Sequence, residues 1–318
     1  MSFWTGKRVL VTGGGGFLGN HVVDQLNETD SASVFVVRQR DYDLTHEDQV
    51  IRLFAEHPAD VVLHLAGYVG GIGANKARPA DFFYRNLMMN TLTLHHAYKS
   101  GVKKVIAAAA GCGYPEHAPM PLKEESFWNG FPQEESAPYS LAKRMLHVQS
   151  LAYWKQHQFL AVSTIPGNIY GPYDNFDLEN AHVIPALVRK FVEATEEKHE
   201  RLIVWGTGIP TRDFVYAGDV AEGILRAAEV YEWPGIVNLS AGKETSIADV
   251  VHALADITNF AGQIVWDSSR PDGQSRRLFD VSKARRELDW HARTSLREGL
   301  AKTVAWYRAN RATARNVG

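Results

Sequence analysis

Residues 7–19 read KRVLVTGGGGFLG. The run Val9, Leu10, Val11, Thr12 is apolar and β-branched, the composition of a buried strand. Gly13, Gly16 and Gly19 follow at the spacing G-x-x-G-x-x-G. Behind them Phe17, Leu18, Val22, Val23 and Leu26 recur at helical spacing. A strand, a glycine turn and a helix in that order are the context of a dinucleotide fingerprint. One glycine permits the tight turn, the next lets the backbone approach a pyrophosphate, and the third lets helix pack on strand. The free N–H groups and positive dipole end of the helix then face the phosphates.

Outward from that turn, strand and helix patterns alternate. Ser33–Val37, Asp60–Leu65, Lys104–Ala110 and Phe159–Ile165 read as strands. Helices are expected at Glu47–Glu56, about 81–98 and Ala137–Gln156. Alternation of this kind predicts an α/β fold with a doubly wound parallel Rossmann sheet. After Pro166 the pattern loosens, with one helix at about 182–196. An apolar return at Asp213–Val230 rejoins the first lobe, and a strand is expected at Gln263–Trp266. The expected division is a Rossmann domain of residues 1–167 with 213–241. A smaller α/β substrate lobe, 168–212 with 242–318, closes over it. Ligands in such sheets bind beyond the carboxyl ends of the strands, where the loops after Gly67, Ala110 and Pro166 leave.

The 318 residues carry 22% charged side chains and a net charge of −2. This offers no electrostatic footprint for nucleic acid or an anionic membrane surface. No apolar run approaches the roughly 20 residues of a membrane helix. The single cysteine, Cys112, rules out an intrachain disulfide and suits a reducing cytoplasm. No metal site is expected, and residues 311–318 are expected to fray.

The end of the second strand selects the cofactor. NAD-binding proteins usually place Asp or Glu there. This chain reads VVRQRDYDL, with Arg38 and Arg40. Guanidinium groups suit a 2′-phosphate, so NADP(H) is favoured over NAD(H), with Asp43 the residue that keeps NAD open. Tyr139-Ser-Leu-Ala-Lys143 places a phenol and an ammonium on one helical face. The cation is expected to favour the phenolate and to let Tyr139 pass a proton while hydride moves.

With these residues the chain resembles the extended short-chain dehydrogenase/reductases, and more closely the GDP-L-fucose synthase family. The resemblance runs through VGGIGAN and PADFFYRN (69–86), GCGYP (111–115), YSLAK (139–143) and IPGNIYGPYDNF (165–176). It continues through HVIPALVRKF (182–191), VWGTGIPTRDF (204–214) and RPDGQSRRLFD (270–280). It implies an NADPH-dependent enzyme acting on a GDP-linked 4-keto-6-deoxy sugar, a hexose or related heptose. Such an enzyme epimerises C3 and C5 and then reduces C4. By resemblance, Tyr139, Lys143, Cys112 and His182 are catalytic, the last two as the epimerisation pair. The cofactor is expected against Gly13, Gly16, Phe17, Leu18, Gly19, Arg38, Asp43, Leu44, Leu65, Ala66 and Gly67. Its nicotinamide side is expected against Ala110, Tyr139, Lys143, Pro166, Asn168, Ile169 and His182. Lys190, Trp205, Arg212 and Asp272 match positions that hold the GDP-sugar. The resemblance also implies a homodimer joined through helices 81–98 and 137–156, which carry Leu87, Met88, Leu92, Leu94, Met145, Leu146, Val148 and Leu151.

One position departs from the family pattern. Ser or Thr usually stands four residues before Tyr114, where this chain has Ala110 within AAAAGCGYP. That hydroxyl normally hydrogen-bonds the oxygen being reduced, and removing such a donor typically costs on the order of 10²–10³ in rate. Two alternatives therefore stand beside the bifunctional enzyme: an epimerase with weak or no reductase activity, and a catalytically retired partner protein that binds cofactor.

Overall fold

A computed structural model describes residues 2–178, 181–270 and 272–314. The first lobe runs β1 (Arg8–Thr12), α1 (Phe17–Leu26), β2 (Ser33–Val37), α2 (Glu47–Glu56), β3 (Val61–His64), α3 (Ile72–Ala77), α4 (Pro79–Lys99), β4 (Lys104–Ala108), α5 (Ala137–His157) and β5 (Leu160–Pro166). The chain continues through β6 (Asn168–Tyr170), α6 (Val183–Glu196), β7 (Arg201–Trp205), β8 (Thr211–Arg212), β9 (Phe214–Tyr216), α7 (Ala217–Val230) and β10 (Ile236–Leu239). It ends with β11 (Thr245–Ser246), α8 (Ile247–Thr258), β12 (Gln263–Asp267), α9 (Ser282–Leu288) and α10 (Leu296–Ala314).

Six parallel strands form the central sheet in the order β10-β5-β4-β3-β1-β2. Each of the five strands expected from sequence for this sheet is present, shifted by at most two residues at either end. The sixth, β10, is an addition to the sequence reading. Its four residues are all buried, but the run is too short to show a period. The strand order reverses between β1 and β3, which sets the binding crevice at their carboxyl ends.

Two cores lie on the faces of the sheet. One contains Val9, Val11, Ile106 and Val162 against Val220, Ile224 and Ala228 of α7. The other packs Leu10, Val62 and Val105 against α2 and α4. A third core belongs to the smaller lobe and joins α6, α8 and α10 through Leu187, Phe191, Leu254 and Val304. Residues 282–290 come from the stretch expected in that lobe, yet Ala284, Leu288 and Trp290 pack into the first core beside α7. The tail expected to fray from Arg311 is helical to Ala314, because Arg311 pairs with Glu196 at 2.6 Å and Glu193 at 3.3 Å. Positions 315–318 lie outside the described residues.

Asp213, fully buried, ties the late segments to the sheet edge. Its carboxylate accepts N–H groups from Ala241, Gly242 and Phe279, each at 3.1 Å, and its backbone carbonyl accepts from Asn168 N. Burial lifts its pKa to about 6. In Asp213→Ala three buried donors lose their acceptor, at about 1–3 kcal/mol each. A fall in unfolding free energy of at least about 3 kcal/mol is expected from urea titration; an unchanged midpoint would remove Asp213 from this role.

Candidate active site

Register brings the cofactor-side residues to one edge. Thr12 stands opposite both Val37 and His64, and His64 opposite Ala107. Gly13, Arg38, Leu65 and Ala108 therefore leave or end their strands side by side. Gly13 is left-handed at φ +68°, and a Cβ there would come within 2.7 Å of Ala66 N. A Cβ on Gly19 would lie 2.0 Å from Gly13 O. The fingerprint glycines are thus required by close backbone approach, and Gly16 caps α1 without any side-chain hydrogen bond. The first N–H groups of α1 are left for an anion.

Arg38 reaches back over this turn: a Cβ on Gly15 would sit 1.6 Å from Arg38 Nη1. Its guanidinium is exposed and makes no ion pair among the described residues. Arg40 instead stands in solvent beside Asp41. Asp43, the residue that kept NAD open, accepts both the backbone N–H and the hydroxyl of Thr45. Both bonds fall on Oδ1, so one oxygen of the carboxylate is engaged within its own turn. Leu44 is buried in the α2–α4 core, so that only its backbone can face a ligand. Leu65 packs against the first core. Pro166 ends β5 beside Leu239, while Asn168 and Ile169 pair with β9.

Lys143 lies under the same edge. Its ammonium donates to Ala66 O and Ala108 O, each at 3.3 Å, and lies within 3.2 Å of where a Gly67 Cβ would be. It thus joins the loops that follow β3 and β4. Burial lowers its pKa to about 8. The pKa of Tyr139 is raised, first by burial and then by the charge of Cys112. This reverses the expectation that Lys143 would favour the phenolate. The ammonium is committed to two carbonyls, and desolvation of the phenolate is the larger effect. Tyr139 accordingly holds its proton at neutral pH.

Cys112 is the middle residue of a single 3₁₀ turn, Gly111–Gly113, that leaves β4. Ala110 precedes that turn in extended conformation, and its carbonyl accepts Gly113 N. A cavity of about 320 Å³ opens beside Cys112. His182 occupies the N-cap position of α6. Its side chain is exposed, and desolvation by the protein around it lowers its pKa. The positive end of the helix acts in the same direction.

On the smaller lobe, Trp205 is 59% exposed, which excludes a core role. Lys190 Nζ and Arg270 Cζ each stand 5.0 Å from its ring centroid. Arg212 donates to Thr211 O and has its pKa lowered by burial and by the charge of Arg277. Asp272 accepts both Thr207 N and Thr207 Oγ1, and so holds the loop after β7.

Two residues escaped the sequence reading, the buried Arg144 and the half-buried Arg277. Arg144 donates to Gly113 O and Gly130 O, and Arg277 donates to Gly111 O. Their only sequence signal is the glycine on either side of Cys112.

Residues 9–240 match the family described as the NAD dependent epimerase/dehydratase family. The chain is 37% identical over 306 residues to the probable GDP-L-fucose synthase 1 of Oryza sativa subsp. japonica, covering 96% of this chain and 93% of that one. It is similar to the crystal structure of a GDP-L-fucose synthetase from Naegleria fowleri bound to NADP, with a TM-score of 0.93, 31% identity, and 99% and 96% of the two chains covered. It is also similar to a GDP-6-OMe-4-keto-L-xylo-heptose reductase from C. jejuni, with a TM-score of 0.87, 26% identity, and 98% and 100% covered.

The glycine cradle and the uncommitted Arg38 guanidinium fit an NADP molecule. Replacing Arg38 by Ser is expected to weaken NADPH binding by roughly 1.5–3 kcal/mol, the value of a charge-assisted contact, and to leave NADH binding nearly unchanged. Equal losses for the two cofactors in a fluorescence titration would show that Arg38 does not meet the 2′-phosphate.

Proposed function

The chain belongs to the NAD dependent epimerase/dehydratase family and to its GDP-L-fucose synthase branch, and from that premise we propose that it epimerises and then reduces a GDP-linked 4-keto-6-deoxy sugar. The enzyme is an NADP(H)-dependent epimerase/reductase. The observation that carries the reading is the junction at Lys143. One buried ammonium joins two strand-end loops beside Tyr139, and the charge of Cys112 acts on both side chains. Proton chemistry and hydride chemistry thereby share one place.

NADPH supplies the hydride when bound. Tyr139, protonated by burial, donates its proton to the C4 oxygen. Lys143 fixes the loops that hold the ribose side. Carbons beside the ketone are acidic because the enolate spreads charge onto oxygen. Cys112 and His182 take and return protons there, and inversion requires an acid and a base on opposite faces. Lys190 and Arg212 offer cations to the diphosphate, and Trp205 a face for stacking. The sugar is a hexose or a related heptose, as the names of the relatives support.

The protein works in the cytoplasm, a reading that a lone, unpaired Cys112 supports, and no described helix is long and apolar enough to cross a membrane. It works as a homodimer. Helices α4 and α5 pack together, burying Leu92, Leu94 and Leu146 within the protomer. Tyr84 on α4 and Val148 and Leu151 on α5 remain 59%, 45% and 44% exposed, an apolar face that asks for a second surface. Sedimentation at micromolar concentration is expected to give twice the chain mass. A monomer would rule the dimer out.

Ala110 separates the two chemistries. Deprotonation beside the ketone tolerates one missing donor, because Tyr139 still polarises the oxygen. Hydride transfer puts full negative charge there and suffers more. Incubation with a GDP-4-keto sugar in D₂O with NADPH reads both. Ala110→Ser is expected to raise NADPH oxidation at least about tenfold, equivalent to about 1.4 kcal/mol, while deuterium incorporation changes little. Cys112→Ala is expected to abolish incorporation at one or both carbons. Incorporation that survives Cys112→Ala unchanged, or reduction that does not respond to Ala110→Ser, would overturn these assignments.

A further inference from the structure

The turn that carries Cys112 is held alike from both sides. On one side a Cβ on Gly113 would meet Phe127 Cζ at 2.8 Å, and Arg144 lies 5.3 Å from the Phe127 ring and donates from Nε to Gly113 O. On the other a Cβ on Gly111 would meet Phe279 Cζ at 2.7 Å, and Arg277 lies 5.9 Å from the Phe279 ring and donates from Nη2 to Gly111 O. Glycine, phenyl and guanidinium thus recur on each flank of one cysteine. The two arginines come from separate parts of the chain, α5 and the segment before α9. Among the described residues each also keeps one buried nitrogen without a hydrogen-bond partner, Arg144 Nη2 and Arg277 Nε. Buried donors left unpaired are costly, and these two flank the only sulfur in the chain able to carry a negative charge.

We propose that Arg144 and Arg277 are positioning residues that grip the Cys112 turn and stabilise its sulfur as an anion. That role presupposes the proton-transfer function of Cys112 given above. In the forward step a proton passes from a carbon beside the ketone to the sulfur, and the electron pair goes into the enolate. Before that step the sulfur must be a thiolate, and two fixed guanidinium groups favour it. The interaction is mutual, since the charge of Cys112 opposes the burial that lowers the pKa of both arginines. Other groups also face the sulfur. From α5, Lys143 carries a charge already divided between two carbonyls, and Tyr139 is neutral. Tyr114 follows on the same loop with its hydroxyl donated to Asn238. Glu116, the one carboxylate lining the adjoining cavity, and His117 lie farther along that loop.

Because the chain has one cysteine, alkylation by iodoacetamide reads this site alone, without sugar or cofactor. The informative quantity is the alkylation rate at pH 7 divided by that at about pH 9.5, where thiols are largely ionised. The ratio cancels accessibility. The wild-type ratio is expected to exceed that of a Gly-Cys-Gly peptide by at least about fivefold. Arg144→Gln and Arg277→Gln should each bring it most of the way to the peptide value, while Arg144→Lys and Arg277→Lys should keep it within about twofold of wild type. A wild-type ratio equal to the peptide's overturns the proposal even if every variant misfolds. Rates that fall equally at both pH values in the Gln variants overturn it too, since that is loss of access and not of charge. Absence of isotope exchange in the D₂O experiment would sink the role of Cys112 in turnover without altering this ratio, so the two failures are distinguishable.

Discussion

The Lys143 ammonium, held between Ala66 O and Ala108 O, is the interaction on which the rest of the site depends. It fixes two strand-end loops at once and puts Tyr139 one helical turn away. Beneath it runs a chain of polar contacts. Ala66 N donates to Thr12 Oγ1 at 3.2 Å, and Thr12 Oγ1 lies 2.8 Å from His64 Nδ1. His64 Nε2 stands 3.0 Å from Asn90 Oδ1, and Asn90 Nδ2 donates to Ala142 O at 3.2 Å. Because the Asn90 amide gives its N–H to Ala142, its oxygen takes the His64 Nε2–H, and Nδ1 accepts the threonine hydroxyl. Burial, aided by Lys143, pushes the His64 pKa down to about 3, so the ring is neutral. A charged ring there would compete with the ammonium. The network thus binds β1, β3, α4 and α5 while leaving Lys143 as the cation at their junction.

From this junction the site divides by element. The cofactor side is built from backbone: glycines that admit close approach, strand-end carbonyls, the N-terminus of α1. The smaller lobe instead offers side chains, with Trp205 standing between Lys190 and Arg270. Asp213 lies between β8 and β9, and its carboxylate holds Ala241, Gly242 and Phe279 of the later segments.

Most of the first lobe was legible in the sequence, because strands buried on both faces read as apolar runs and their crossover helices keep a clear period. The glycine fingerprint and the Tyr139–Lys143 pair needed only local spacing. What spacing could not report was commitment. Asp43 and Asp272 both look like free carboxylates, yet each is engaged by a nearby threonine. The sign of the Tyr139 shift also eluded the pattern, because a neighbouring cation is visible in sequence and desolvation is not. Arg144 and Arg277 were missed for a related reason. They act on carbonyls far away in the chain, and only the folded turn shows that both grip the same cysteine. Similarly, α9 followed the smaller lobe in sequence but packs where Leu288 and Trp290 find the larger core.

The chemistry also explains why the protein keeps a costly group at its centre. An ammonium whose pKa falls from the ordinary 10.5 to about 8 binds its proton less tightly in the folded chain than in the unfolded one. At roughly 1.4 kcal/mol for each factor of ten, the native state is penalised by about 3 kcal/mol. The sign follows from linkage. Below pH 8 both states are protonated and the whole penalty is present. As pH rises from 8 towards 10.5 the native form has released its proton and the unfolded chain has not, so this group's penalty fades and stability rises. At neutral pH the penalty is a substantial fraction of the 5–15 kcal/mol by which domains are stable. A leucine or methionine of similar volume would remove it and would hold neither loop. The polar chain through His64 and Asn90 shows the alternative by contrast: there the fold buries polar atoms but keeps them neutral and paired. At Lys143 charge is retained, because only an ammonium reaches Ala66 O and Ala108 O together and ties the two loops.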